Sequence, residues 1–144
     1  MTASQLFKIV NNMVLPGWLL LIIAPRWQWT EKLITGIIIT LLALCYVYCI
    51  AQVFTPGMIK SFGSLEGVMK LFTNETAVLA GWIHYLAFDL MTGLFETKNA
   101  QKHHINHGLV IPCLVFTFMF GPVGLLLFFV VRMIITKKYF AQNY

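Results

Sequence analysis

Four histidines, one aspartate and four glutamates are the groups in this chain that could move protons or hold a metal. One stretch sets three reactive side chains in apolar surroundings: Gly81-Trp82-Ile83-His84-Tyr85-Leu86-Ala87-Phe88-Asp89-Leu90-Met91-Thr92-Gly93. An ionisable residue in hydrocarbon costs about 2.5–3.5 kcal/mol on insertion scales, which makes Asp89 a functional candidate. On a helix turning about 100° per residue, Tyr85 and Asp89 share a face, with Trp82, Gly93 and Glu96 close to it. His84 points roughly 140° away from Asp89, so a straight helix cannot pair the two. Asp89 suits a general acid or base. The structural alternative is a carboxylate bonded to Tyr85, to an Asn of the first span or to the Trp82 indole.

A second group is His103-His104-x-x-His107. Imidazoles three or four residues apart can aim at one ion, and the run resembles one box of a di-iron membrane desaturase. Such enzymes use several boxes, and here there is one plus His84. His103, His104, His107 and Glu96 are therefore low-ranked metal candidates against an ordinary solvated loop. No cofactor is expected.

The elements that must position these groups are membrane helices. Of 144 residues, 59% are hydrophobic and 10% charged, with mean hydropathy +0.80. Soluble domains carry about 25% charged residues. The net charge of +5 sits at the ends of apolar runs, as headgroup anchoring requires, and nucleic acid is discounted. Cys45, Cys49 and Cys113 lie inside apolar runs without a disulfide framework. The pattern predicts an all-α bundle forming one membrane domain, residues 1–144. Its four spans fall at about 6–24, 33–54, 75–95 and 109–135, with one amphipathic interfacial helix at about 64–72. Pro16-Gly17 should kink the first span, and Gly121-Pro122 should bend or break the last. Residues 96–108 read as a polar loop. No cleavable signal pattern precedes the first span. Four spans put both termini on one side. That side holds six of the ten Lys and Arg residues (Lys8, Lys60, Lys70, Arg132, Lys137, Lys138), a bias toward cytoplasmic termini.

The third-span motif, then His107, Pro112-Cys113-Leu114 and Gly121-Pro122-Val123-Gly124-Leu125-Leu126, resembles the pattern of the abscisic-acid-deficient-four family. These are small polytopic membrane proteins. The similarity runs from about Gly57 to Phe129. The plant members are implicated in making neoxanthin from violaxanthin, which isomerises an epoxide to an allenic alcohol without net redox change. The resemblance implies an acid near the epoxide oxygen and a base for a carbon-bound proton. Asp89, Tyr85, His84 and His107 are the catalytic candidates, with Asp89 as base and Tyr85 or His84 as acid. His103 and His104 fall outside the pattern. With no plastid transit sequence, a bacterial member of the inner membrane is expected, acting on another carotenoid or isoprenoid.

Three functions stay open on the sequence. The first is a carotenoid or isoprenoid isomerase. The second is a non-enzymatic binding or assembly protein in which Trp82, Tyr85 and Asp89 only hold the bundle. The third is a His-ligated metal oxidoreductase. Membrane lipid is the expected partner, with a carotenoid or isoprenoid as ligand. Glycine-bearing helices also leave room for a homodimer.

Overall fold

The computed structural model describes residues 2–138, and every described element is helical. Helix α1 (Ala3–Ile23) opens with a capping box in which Thr2 and Gln5 satisfy each other's backbone amides. It continues through Pro16. Helix α2 (Thr30–Val53) contains a π-helical stretch over Ile34–Ile39. There the Thr40 hydroxyl donates to the Thr35 carbonyl at 3.0 Å, a bond that fits the wider i–5 spacing. Two short helices follow, α3 (Met58–Ser61) and α4 (Leu65–Leu71). Ser64 caps α4 by accepting from Gly67 N. Ile59, Phe62, Leu65, Met69 and Phe72 of this segment face outward.

Helix α5 (Glu75–Lys102) is the axis of the molecule. Asn74 starts it by accepting from the Thr76 and Ala77 amides at 2.9 and 3.1 Å. At 28 residues it is about 42 Å long, more than the roughly 30 Å of hydrocarbon in a bilayer. Helix α1 runs beside it in the same direction. Trp82 donates to Asn11 at 3.1 Å near one end, and Gln101 donates to the Pro25 carbonyl at 2.6 Å near the other. Helix α2 returns on the opposite flank, with Tyr46 against His84 and Glu31 paired to Lys98 at 2.7 Å. Glycines allow the close approach. A Cβ on Gly93 would lie 2.8 Å from the Trp18 ring, and one on Gly17 2.8 Å from Leu90.

The polar loop expected from residue 96 is instead the last two turns of α5. Glu96, Thr97, Asn99 and Ala100 are buried there. Glu96 and Asn99 find partners on other helices and Thr97 bonds back to the Gly93 carbonyl, so burial continues the helix where polarity alone suggested an exit.

The expected fourth span at 109–135 is two helices, α6 (His107–Phe120) and α7 (Pro122–Thr136). Gly121 joins them at φ +50°, a backbone region that suits glycine. Pro122 then starts α7 with its φ preset and no N–H to satisfy. The chain reverses. Thr117 and Gly124 are in contact across the hairpin, while Arg132 reaches back to Asn99 at 3.1 Å. Among the described residues three helices, not four, are long and apolar enough to cross a membrane, and α6 and α7 are shorter apolar helices. The reversal also sets where the described ends of the chain lie. Phe7 stacks on Trp82 near the start of α5, whereas Arg132 lies by Asn99 near its end. The two described ends of the chain thus lie toward opposite ends of α5.

The hairpin depends on Gly124, where a Cβ would overlap the Thr117 amide and hydroxyl. Gly124→Ala should therefore cost at least about 1–3 kcal/mol. Thermal unfolding of the detergent-solubilised protein should show a clearly lowered midpoint; a midpoint equal to that of the parent protein would mean the two helices are not packed this closely.

Candidate functional site

The hairpin tip meets α5 at its centre. Asp89 is the fifteenth of the 28 residues of α5. A Cβ on Gly121 would lie 2.9 Å from Asp89 Oδ1, so the carboxylate rests against the turn itself. Asp89 Oδ2 is buried with no hydrogen-bond partner. One turn earlier on α5, the Tyr85 hydroxyl donates to the Phe118 carbonyl at 3.2 Å. Trp82 packs on Tyr85 with ring centroids 5.3 Å apart.

The same face of α5 continues one heptad further to Glu96, which is fully buried. The Thr117 hydroxyl donates to its Oε1 at 2.7 Å, and Oε2 has no partner. Farther along, Asn99 accepts from Arg132 Nη1, and the Arg132 guanidinium lies over the Phe129 ring at 5.0 Å. Asp89 and Glu96 thus face the α6–α7 hairpin, at its tip and partway down its length.

A crevice of about 270 Å³ opens beside Tyr85, between α1, α5 and the end of α6. Asn11, Leu15, Trp82, Phe118 and Met119 line it. Its walls are apolar apart from the Asn11 amide, the Trp82 indole and the Tyr85 hydroxyl. An apolar molecule entering there would meet a phenol backed by a carboxylate, which is a donor and a base side by side.

The remaining sequence candidates sit elsewhere. His84 faces α2, stacked on Phe88 at 4.4 Å and 5.9 Å from the Tyr46 ring. It belongs to a separate apolar groove with Leu42, Ala43 and Met91, not to the Asp89 face. His107 Nε2 lies 2.9 Å from the Ile22 carbonyl, where it ties the start of α6 to the end of α1. His103 and His104 form the turn after α5, with His104 at φ +55°. Glu96 points into the hairpin, away from these imidazoles. Among the described residues no three His, Cys, Asp or Glu side chains gather as a metal site requires.

A profile of the ABA4-like family (ABA DEFICIENT 4-like) matches residues 5–128. The chain belongs to the ABA4-like family. It is 29% identical over 147 aligned positions to Protein ABA DEFICIENT 4, chloroplastic, of Arabidopsis thaliana. That match covers 95% of this chain and 64% of the relative, so the chain spans just under two thirds of the plant protein's length. No solved structure matches. The matched range contains the whole of α5 and α6 and the hairpin tip, so Tyr85, Asp89, Glu96, Thr117 and Gly121 all lie inside the ABA4-like region.

Sequence reasoning assigned Glu96 to a loop and passed over Thr117 and Asn99. Spacing sets Glu96 close to the face of Tyr85 and Asp89, but polarity ends the expected third span at residue 95. Thr117 within an apolar run gave no such cue.

Thr117→Val should strand the buried Glu96 carboxyl and destabilise the protein by about 1–3 kcal/mol. Replacing both partners, Thr117→Val with Glu96→Met, should recover most of that loss, because no polar group is then left without a partner. Thermal melts of the single and double variants check this; strictly additive losses would show that the two side chains are not coupled.

Proposed function

We propose that this ABA4-like chain is a membrane isomerase of a carotenoid or another isoprenoid, with its site where the hairpin tip meets α5. The observation that carries this reading is the buried, partnerless oxygen of Asp89, one helical turn from Tyr85, whose side chain lines an apolar crevice. Family membership supports the substrate class. For the epoxide chemistry that the family resemblance implies, Asp89 takes a proton from the polyene carbon and Tyr85 gives one to the epoxide oxygen. The C–H and C–O bonds break while a C=C and an O–H bond form. Asp89 then returns its proton to the adjacent Tyr85, so neither net protons nor electrons are needed.

In this reading the molecule has three crossing helices (α1, α2 and α5), a hairpin that enters and leaves on one side, and α4 lying in the interface. The side of the α1–α2 loop, the α5–α6 loop and the end of α7 then holds Arg26, Lys32, Lys98, Lys102, Arg132, Lys137 and Lys138. The other side holds Lys8, Lys60 and Lys70. Seven against three favours a cytoplasmic first side, with the N-terminal end opposite, in a bacterial inner membrane.

One observation favours a second, non-catalytic reading. Helix α7 has no side-chain cap of its own, and Asp89 sits at its start, where a carboxylate is stabilising. Asparagine caps about as well as aspartate but cannot act as a base. Asp89→Asn should keep the protein folded and lower turnover of the isoprenoid that co-purifies with it by about 10²–10⁴-fold. Mass spectrometry of gently purified protein identifies that compound, and a chromatographic assay follows its conversion. Unchanged turnover in Asp89→Asn, or no isoprenoid bound at all, would leave Asp89 as a cap alone. His103→Ala combined with His104→Ala should leave turnover within about twofold, the usual range for surface positions.

A further inference from the structure

His84 is a reactive side chain that the hairpin site leaves unused. It stands on the α2 flank of α5, stacked on Phe88 and beside Tyr46, whose ring centroid is 5.9 Å away. Two open spaces meet at this pair. A pocket of about 220 Å³ lies between α2, α5 and the two short helices, bordered by Met58, Phe62, Phe72 and Gly81. A groove of about 230 Å³ continues between α2 and α5, lined by Ile39, Leu42, Ala43, Ala87 and Met91. Tyr46 and His84 line both, so the two spaces run end to end. A Cβ on Gly81 would lie 2.9 Å from the Phe72 ring, so glycine there lets Phe72 wall the pocket. Ile39 also ends the π-helical stretch of α2, and π-helical turns occur frequently at functional sites.

The chemistry of the walls selects the ligand. No charged side chain lines either space, so an ionic headgroup would find no counter-charge. In the three-span arrangement His84 is nine residues past Glu75, about 14 Å along α5. That is near the middle of a roughly 30 Å hydrocarbon core, where an N–H or O–H without an acceptor is costly. Neither His84 nor Tyr46 has a hydrogen-bonding partner among the described residues. A purely hydrocarbon occupant would leave both donors unbonded. A carbonyl accepts hydrogen bonds and brings no donor of its own to satisfy. A quinone ring carries two carbonyls, enough for both donors. Its flat ring suits walls made of Tyr46, Phe62, Phe72 and Met58, and the apolar groove beyond takes a prenyl tail.

We infer that this flank of α5 binds an isoprenoid quinone, its ring beside Tyr46 and His84 and its tail along the groove toward Met91. The site is independent of the isomerase reading. It lies against α2, away from the Asp89 face that meets the hairpin, so both sites can be filled at once.

The test is photo-crosslinking of the full chain in nanodiscs of phosphatidylethanolamine and phosphatidylglycerol. The probe is a benzoquinone whose decyl tail ends in a diazirine. Label should fall on residues 42–43 and 87–91 of the groove, saturate, and be displaced by unlabelled decylubiquinone. Decylbenzene, with ring and tail but no carbonyl, should compete at least about fivefold less well, the loss expected from two missing hydrogen bonds. Tyr46→Phe and His84→Phe each keep a ring and remove a donor that bonds no other described residue, so both should fold normally. Each should weaken saturable labelling about two- to tenfold. Ala43 is exposed, so Ala43→Trp should fill the groove without disturbing the core and cut labelling about tenfold or more. Equal competition by decylbenzene, or no effect of either phenylalanine, would overturn the quinone head. Better competition by zeaxanthin would give the groove to a carotenoid instead. Labelling that neither saturates nor responds to Ala43→Trp would mean that bulk lipid fills it. A dimer by native mass spectrometry, with no saturable label, would give the face to a second copy of the chain. Each of these outcomes would overturn the quinone site and leave the hairpin site untouched.

Discussion

A peptide group left unpaired in hydrocarbon costs several kcal/mol, so a chain that stops partway through a membrane must turn where protein satisfies it. On the three-span reading proposed above Gly121 is such a stop, and the middle of α5 answers it. The turn leaves the carbonyl end of α6 and the amide end of α7 at one point. Tyr85 donates to the Phe118 carbonyl at the first. Asp89 lies against the second, where the partial positive charge of a helix start favours an anion. A donor for the carbonyl end and an acid for the amide end, one turn apart on α5, match the two helix ends by sign.

The same constraint explains the polar stripe below the tip. A hairpin can lie along α5 only if its inner face is narrow, and Cys113, Thr117, Gly121 and Gly124 provide that. Close approach then buries whatever α5 presents. Glu96 is buried so fully that it needs the Thr117 hydroxyl, and Asn99 holds Arg132 where α7 returns toward the end of α5. These contacts link each arm of the hairpin to α5 independently of the tip. The glycines at 17 and 93 do the equivalent on the other side, seating Leu90 and Trp18. Helix α5 is thus clamped along its length, while the crevice at Tyr85 stays open between α1 and the end of α6.

Apolar length and period were enough to read the all-helical class and the shared face of Tyr85 and Asp89. Asn74 and Ser64 act as caps in the structure, as their residue types suggest. What composition could not supply was direction. Gly121-Pro122 is a clear break in any reading, but a break in an apolar run is equally compatible with a kink and with a reversal. The choice depends on whether Thr117 meets Gly124, a contact between residues that hydropathy treats as neutral. The end of α5 was misjudged for a related reason. Glu96, Lys98, Asn99 and Lys102 look like an exit to water, and only a neighbouring hairpin makes burying two of them tolerable. His84 shows the opposite case: its angular offset from Asp89 is plain from spacing, and the structure turns it onto Phe88 and Tyr46.

These considerations bear on what ABA4-like membership can mean for this chain. The matched region ends at residue 128, so it includes the tip, Tyr85, Asp89 and the Glu96–Thr117 bond, but not Arg132. The family region therefore contains the part of the hairpin that creates a polar point at the centre of α5. If the tip needed only satisfying, any pair of hydrogen-bonding side chains would serve, and no open space beside them would be required. Here Tyr85 borders a crevice, and one oxygen of the Asp89 carboxylate behind it is left without a bond. A purely structural cap is better when fully bonded. An unspent acceptor beside a donor, next to an apolar cleft, is the arrangement that proton transfer to and from an apolar molecule requires, and the turn that makes it possible is also what holds it in place.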